Sequence, residues 1–125
     1  MTRIYLSIVE IMAIHDDQIA VYGGSGGLRD PGHLEAAILR PQSGYYQNIL
    51  EEAAALWESL SQNHPFIDGN KRTALAATTT FLHVNDYVFQ PHQSDTIAFV
   101  INLYDSGTFS FEHLEPWLRE HAKPR

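Results

Sequence analysis

Residues 64–84 read HPFIDGNKRTALAATTTFLHV, and a change of character inside this stretch decides the fold. His64-Pro65-Phe66-Ile67-Asp68-Gly69 interrupts a helical pattern, with Pro65 and Gly69 bracketing a turn. Asn70 to about Val84 returns to helical spacing, and Ala74, Leu75, Ala77, Phe81 and Leu82 form its apolar surface. The segment is almost free of charge after Arg72, so most of its surface is expected to be buried. The spacing predicts a central helix entered through a tight polar turn.

Toward the N-terminus, Asn48 with Glu51 reads as a capping box opening a helix with Ile49, Leu50, Ala53, Leu56, Trp57 and Leu60 on its apolar side. The loop before it, 41–47, carries Gly44-Tyr45-Tyr46. Asp30-Pro31 sets a capping acid before proline at the first helical position, predicting a helix through Leu34, Ala37 and Ile38 that stops before Pro41. Ser7 with Glu10 is a further capping box. Ile8, Ile11, Met12, His15, Ile19 and Tyr22 follow it at helical spacing, and Gly23-Gly24 ends that helix.

Toward the C-terminus, Asn85-Asp86 ends the central helix and Tyr87-Val88-Phe89 is a short β-like piece. Ser94 is expected to cap a fifth helix through Ile97, Val100, Ile101 and Tyr104, ended by Gly107. A last helix lies within 111–121, where Pro116 predicts a kink or a start near Glu115. The reading is an all-α compact bundle of about six helices around one central buried helix, a single domain over 1–125.

Composition narrows the function. With 44% hydrophobic and 18% charged residues the chain is globular rather than disordered. Eight Lys+Arg against 15 Asp+Glu leave a net charge of -7, which argues against direct nucleic-acid binding through a broad cationic face. The absence of cysteine excludes a disulfide framework, Cys-based zinc sites and a thiol nucleophile. The N-terminal stretch lacks a signal-peptide cleavage pattern, and no apolar run approaches the roughly 18 residues of a membrane span. No membrane association and a cytoplasmic location are expected.

The chemistry concentrates in the turn. A helix that begins at about Gly69 leaves the amides of Gly69, Asn70 and Lys71 without intrahelical partners, and such a helix start attracts anions. Lys71 and Arg72 add cations at an end where the helix dipole disfavours them, which suggests that a bound anion offsets the penalty. Asp68 either caps the helix or holds Mg²⁺ against a phosphate. His64, across the turn, is of the residue type suited to general-base work near neutrality. Each residue alone has an ordinary structural use. Together, in an otherwise acidic chain, they point to transfer of a phosphate-containing group to a hydroxyl. The GxxxxGK[ST] cradle of a P-loop is absent. Gly23-Gly24-Ser25-Gly26-Gly27 follows a helix rather than a strand, which weakens a dinucleotide-binding reading.

HPFIDGNKRTAL resembles the signature of the Fic/Doc superfamily, HxFx(D/E)GN(G/K)R. Ile14-His15-Asp16, Tyr22-Gly23-Gly24, Leu28-Arg29-Asp30-Pro31-Gly32, Leu34-Glu35-Ala36-Ala37, Arg40-Pro41 and Asn63-His64 follow the order of its Doc (death-on-curing toxin) branch. The resemblance runs from about Ile4 to about His121. It implies the Fic/Doc fold and the toxin of a type II toxin–antitoxin system. Such a toxin is an ATP- and Mg²⁺-dependent protein kinase that phosphorylates a threonine of elongation factor Tu and arrests translation. Position by position, the resemblance implies that His64 takes the proton of the attacking hydroxyl and that Asp68 binds Mg²⁺. It also implies that Gly69, Asn70, Lys71 and Arg72 hold the phosphates. Phe66 reads as core, anchoring the loop so that His64 faces outward. By the same resemblance, the loop 41–47, with Tyr45 and Tyr46, is expected to pair with the target segment as the superfamily's flap does.

Two departures separate the sequence from the Fic nucleotidyl-transferase pattern. Lys71 stands where that branch has glycine, and Leu75 where it has a second arginine. A lysine obstructs close approach of a diphosphate to the backbone, and loss of the arginine removes a phosphate clamp. Both match the kinase branch. AMP transfer on the same scaffold and a catalytically idle binding module are the alternatives. No (S/T)xxxE(G/N) inhibitory segment is present, so inhibition in cis is not expected. The resemblance implies instead a separate Phd-type antitoxin whose C-terminal segment folds into a surface groove, with any DNA binding supplied by that partner.

Overall fold

The first three helices each begin at a residue whose side chain satisfies an amide of the first turn. The structure, a computed structural model, describes residues 2–125. Ser7 Oγ accepts from the Glu10 amide and Glu10 Oε1 accepts from the Ser7 amide, closing the expected box at the start of α1 (Ile8–Tyr22). Asp30 caps α2 (Pro31–Leu39), and a 3-10 turn (Arg40–Gln42) follows. Asn48 caps α3 (Ile49–Gln62), but only half of the expected box forms, because Glu51 reaches back to the Gln47 amide at 3.1 Å. The central segment forms α4 (Asn70–Val84), followed by β1 (Tyr87–Phe89), α5 (Gln93–Ser106), α6 (Phe111–His121) and β2 (Ala122–Pro124).

The centre is a pair of helices rather than one. α3 packs against α4, α6 and α2, while α4 also meets α1 and β1. α3 is the more buried of the two: Ala53, Ala54 and Ala55 let neighbouring backbones come close, and Trp57 is fully enclosed. α4 buries Ala74, Ala77, Phe81 and Leu82 as expected, together with Thr73 and Thr78, and leaves Leu75 half-buried. Consecutive threonines disfavour a helix because their hydroxyls compete for the backbone. Here Thr78, Thr79 and Thr80 each donate to the carbonyl four residues back, at 2.8–3.0 Å, so the competition is resolved within the helix.

Two boundaries differ from the sequence reading. α5 starts at Gln93 with His92 as its cap residue, and Ser94 Oγ bonds His92 Nδ1 instead of capping the helix. α6 runs from Phe111 through Pro116 without a break. Pro116 is exposed, so the carbonyl four residues earlier that loses its helical donor lies on the outer side, where water can replace it. The β-like piece 87–89 finds an antiparallel partner in β2, with Val88 opposite Lys123. Among the described residues no helix is long and apolar enough to cross a membrane.

Asn85 closes the bundle at the end of α4. Its side chain accepts from the Ile4 amide and donates to the Ile4 and Phe81 carbonyls, all at 2.8 Å, so one buried amide ties the N-terminal segment to the central helix. Replacing Asn85 with alanine is expected to cost about 2 kcal/mol, because buried backbone groups lose their partners. Urea denaturation of the variant measures this directly, and a loss under a few tenths of a kcal/mol would show that the tie is replaceable by water.

Candidate active site

The turn between α3 and α4 is built by strain, clamps and glycine. His64 adopts φ +49°, a left-handed conformation that costs a residue with a Cβ about 1–2 kcal/mol. Its neighbours over-determine it. Arg29 Nε donates to the His64 carbonyl at 2.9 Å, and the Arg29 and Asp30 amides both donate to the Pro65 carbonyl, at 2.8 and 3.0 Å. The Ile67 amide donates to the Gly27 carbonyl at 3.1 Å. Phe66, 2% exposed, is core as expected, and His64 is exposed.

All of the expected site residues line one cleft of about 440 Å³: His64, Asp68, Gly69, Asn70, Lys71 and Arg72, with Ile67. A neighbouring hollow of about 270 Å³ shares His64 and Lys71 and adds Tyr104 and Phe109. Within the cleft the residues do different work from one another. Asn70 is buried and its side chain is spent on Phe66, accepting from the Phe66 amide and donating to the Phe66 carbonyl, each at 2.9 Å. Its amide side chain is a loop clamp, and only its backbone N–H is left for an anion.

Gly69, with φ +75°, is the N-cap of α4. Its amide donates to Asp68 Oδ1 at 2.8 Å, so it is not one of the free donors the sequence suggested. No side chain caps α4, and the amides of Asn70, Lys71 and Arg72 have no carbonyl to bond within it. The run of uncapped amides therefore begins one residue further into the helix than the sequence suggested.

The Asp68 carboxylate accepts from two backbone amides, Ser25 to Oδ2 at 3.1 Å and Gly69 to Oδ1. These bonds, with the charge of Arg72, hold its pKa below the ordinary carboxylate value. A depressed folded-state pKa contributes stability above the unfolded value, and that contribution is lost as pH falls through the folded value. Each oxygen keeps a lone pair free for a cation. Among the described residues no group of three or more His, Asp or Glu could hold a metal unaided. A single exposed carboxylate suits Mg²⁺, which retains water and phosphate ligands.

The two cations do not wait unpartnered. Arg72 donates from Nη2 to the Gly23 carbonyl at 3.0 Å and from Nη1 to the Gln18 carbonyl at 3.4 Å, at the C-terminal end of α1 where the helix dipole favours a cation. Lys71 Nζ lies 4.2 Å from the centre of the Tyr104 ring. Burial pushes the Tyr104 phenol up to about 12, against the pull of its hydrogen bond with Ser61, so the ring stays neutral beneath the ammonium. The inference that an anion must offset both charges is weakened accordingly: the protein itself accommodates them.

The glycine-rich segment that the sequence left without a role is the wall behind Asp68. A Cβ on Gly24, at φ +115°, would lie 2.5 Å from Asp68 Oδ2. Four glycines among five residues signalled a close approach, but not what approached. Of the two tyrosines in the loop 41–47, Tyr46 accepts from Arg40 Nε at 2.7 Å and packs on Phe111, while Tyr45 is 81% exposed.

Gly24→Ala is expected to destabilise the fold by about 1–3 kcal/mol through backbone strain and displacement of the Asp68 carboxylate. Gly26→Ala meets nothing within 4 Å and should stay within about 0.5 kcal/mol of the parent. Equal urea midpoints for the two variants would contradict this packing.

Comparison with known proteins follows the same residues. A family model described as the Fic/DOC family matches residues 5–82, more than half of the chain. Toxin Doc of Mycolicibacterium smegmatis is 49% identical over 69 residues, covering 51% of this chain and 53% of that protein. Protein kinase doc of Escherichia phage P1 is 40% identical over 85 residues, covering 65% of this chain and 68% of that protein. The chain thus spans about half the length of the Mycolicibacterium relative in the matched region.

Proposed function

The chain belongs to the Fic/DOC family, and on that premise we propose that it is a toxin that transfers the γ-phosphoryl group of ATP to a protein hydroxyl. One observation carries the reading: His64, Asp68, Lys71 and the uncapped start of α4 share a single cleft. His64 removes the proton of the acceptor hydroxyl while its oxygen bonds the γ-phosphorus. The bond to the bridging oxygen breaks and ADP leaves. The amides of Asn70 and Lys71 and the Lys71 ammonium stabilise the charge on the phosphoryl oxygens. Mg²⁺, when held by Asp68 and phosphate oxygens, neutralises part of the charge on the phosphate chain. Arg72 contributes from the first turn of α4, its guanidinium already oriented by the Gln18 and Gly23 carbonyls at the end of α1.

Support for phosphoryl rather than nucleotidyl transfer comes from positions 71 and 75. Lys71 lines the cleft, and Leu75 lines a separate hollow with Phe89 and Pro91 that carries no cationic side chain to clamp a second phosphate. The name of the phage relative, protein kinase doc, agrees with this direction. The target and partner implied by the resemblance, a threonine of elongation factor Tu and a Phd-type antitoxin, complete the proposal. Exposed apolar residues on α1 (Val9, Met12) and α5 (Ile97, Ile101) offer surface for a partner that folds on binding.

Pure protein incubated with bacterial lysate, Mg²⁺ and ATP should label a protein of elongation-factor size from γ-labelled nucleotide only. His64→Ala should lower the rate by about 10²–10⁴-fold. Label from α-labelled ATP would mean AMP transfer. Absence of any label, with toxicity retained by Asp68→Ala, would mean a binding module.

A further inference from the structure

His15 lies on α1, far in sequence from the turn, and is 1% exposed. Its Nε2 is 2.7 Å from the Asp68 carbonyl oxygen. That atom can only accept, so Nε2 carries the proton and donates. The imidazole lies parallel on the Phe66 ring, with centroids 3.8 Å apart and planes 5° from parallel, so the donor cannot swing away. Phe66 is in turn fixed by Asn70.

The carbonyl involved belongs to the peptide unit that joins Asp68 to Gly69. No peptide bond among the described residues is cis, and in a trans peptide the C=O and N–H point in opposite directions. Drawing the Asp68 carbonyl inward to His15 therefore turns the Gly69 amide outward. There it meets Asp68 Oδ1, and Ser25 holds Oδ2. The same plane sets the entry of the chain into α4, where a Cβ on Gly69 would lie only 3.0 Å from Ile19.

We propose that His15 is a positioning residue for the transfer site: by fixing the Asp68–Gly69 peptide plane it aims both the Asp68 carboxylate and the first amides of α4. The inference rests on the transfer reading above for its catalytic consequence, but its structural core stands apart from it. His15 is buried and is not among the residues that line the cleft.

The test compares the parent with His15→Gln, which carries an N–H at similar reach, and His15→Leu, which fills the space without a donor. In amide-resolved NMR, His15→Leu should shift the Ser25 and Gly69 amide signals and speed their exchange, leaving Ala77 and Leu82 in α4 unchanged. His15→Gln should keep the parental signals. In ATP-dependent transfer, His15→Leu should lose about 10- to 100-fold in kcat with little change in KM, as for other residues that orient a reacting group indirectly. His15→Gln should recover most of that loss. Unchanged Ser25 and Gly69 amides in His15→Leu, or a Gln variant as defective as the Leu variant, would overturn the proposal. If His15→Leu does not fold, His15→Asn, too short to reach the carbonyl, replaces it in the same comparison. A parent that transfers no phosphate would sink the transfer reading, while the amide signals would still decide the role of His15.

Discussion

The Pro65 carbonyl accepts two amides from the entry of α2, Arg29 and Asp30, and the rest of the site depends on that junction. A turn between two buried helices must reverse the chain without stranding its polar backbone. Here the segment 27–33 supplies the missing partners. Gly27 takes the Ile67 amide, Leu28 bridges to Phe66, Arg29 binds the His64 carbonyl, and Arg29 and His33 bind the Asn63 carbonyl. His15 and Asn70 complete the inner side. With its back thus satisfied, the turn can hold His64 in a left-handed conformation and present the polar groups of its front to one cleft.

The electrostatics follow from the same construction. A chain of net charge -7 gathers Lys71, Arg72 and uncapped amides at one helix start. Such an arrangement would be costly if the cations were left unpartnered. Instead the end of α1 accommodates Arg72, and a neutral aromatic ring accommodates Lys71. Asp68 stays ionised through bonds from two amides rather than through a buried ion pair. The site is preorganised by backbone and aromatic groups, which leaves its charged ends available for exchange with a ligand.

Much of this was legible in the residue pattern, and the reasons for the gaps are physical. The helix 70–84 and the turn before it could be read because glycine, proline and an uncharged apolar face are local signals. The gathering of the motif residues into one cleft was readable from their spacing across a single turn. What could not be read were partners distant in sequence. Nothing local to Asn70 says that its side chain faces Phe66 rather than a phosphate, and nothing in the glycine-rich loop says that Asp68 lies behind it. His15 stood on the apolar face of α1 and within the family-like Ile14-His15-Asp16, but without a role, because helical periodicity records burial and not the carbonyl that a ring nitrogen will meet. The pairing of 87–89 with 122–124 and the passage of α6 through Pro116 likewise depend on neighbours and solvent exposure outside any local window.

The central claim is that a turn held from behind delivers a terminal phosphate to the start of α4. The most direct measurement is a crystal structure with Mg²⁺ and a non-hydrolysable ATP analogue. The account predicts the γ-phosphate on the amides of Asn70 and Lys71, the metal against Asp68, and His64 facing the open side of the phosphorus. An α-phosphate at that helix start, or a nucleotide bound away from the cleft, would contradict it.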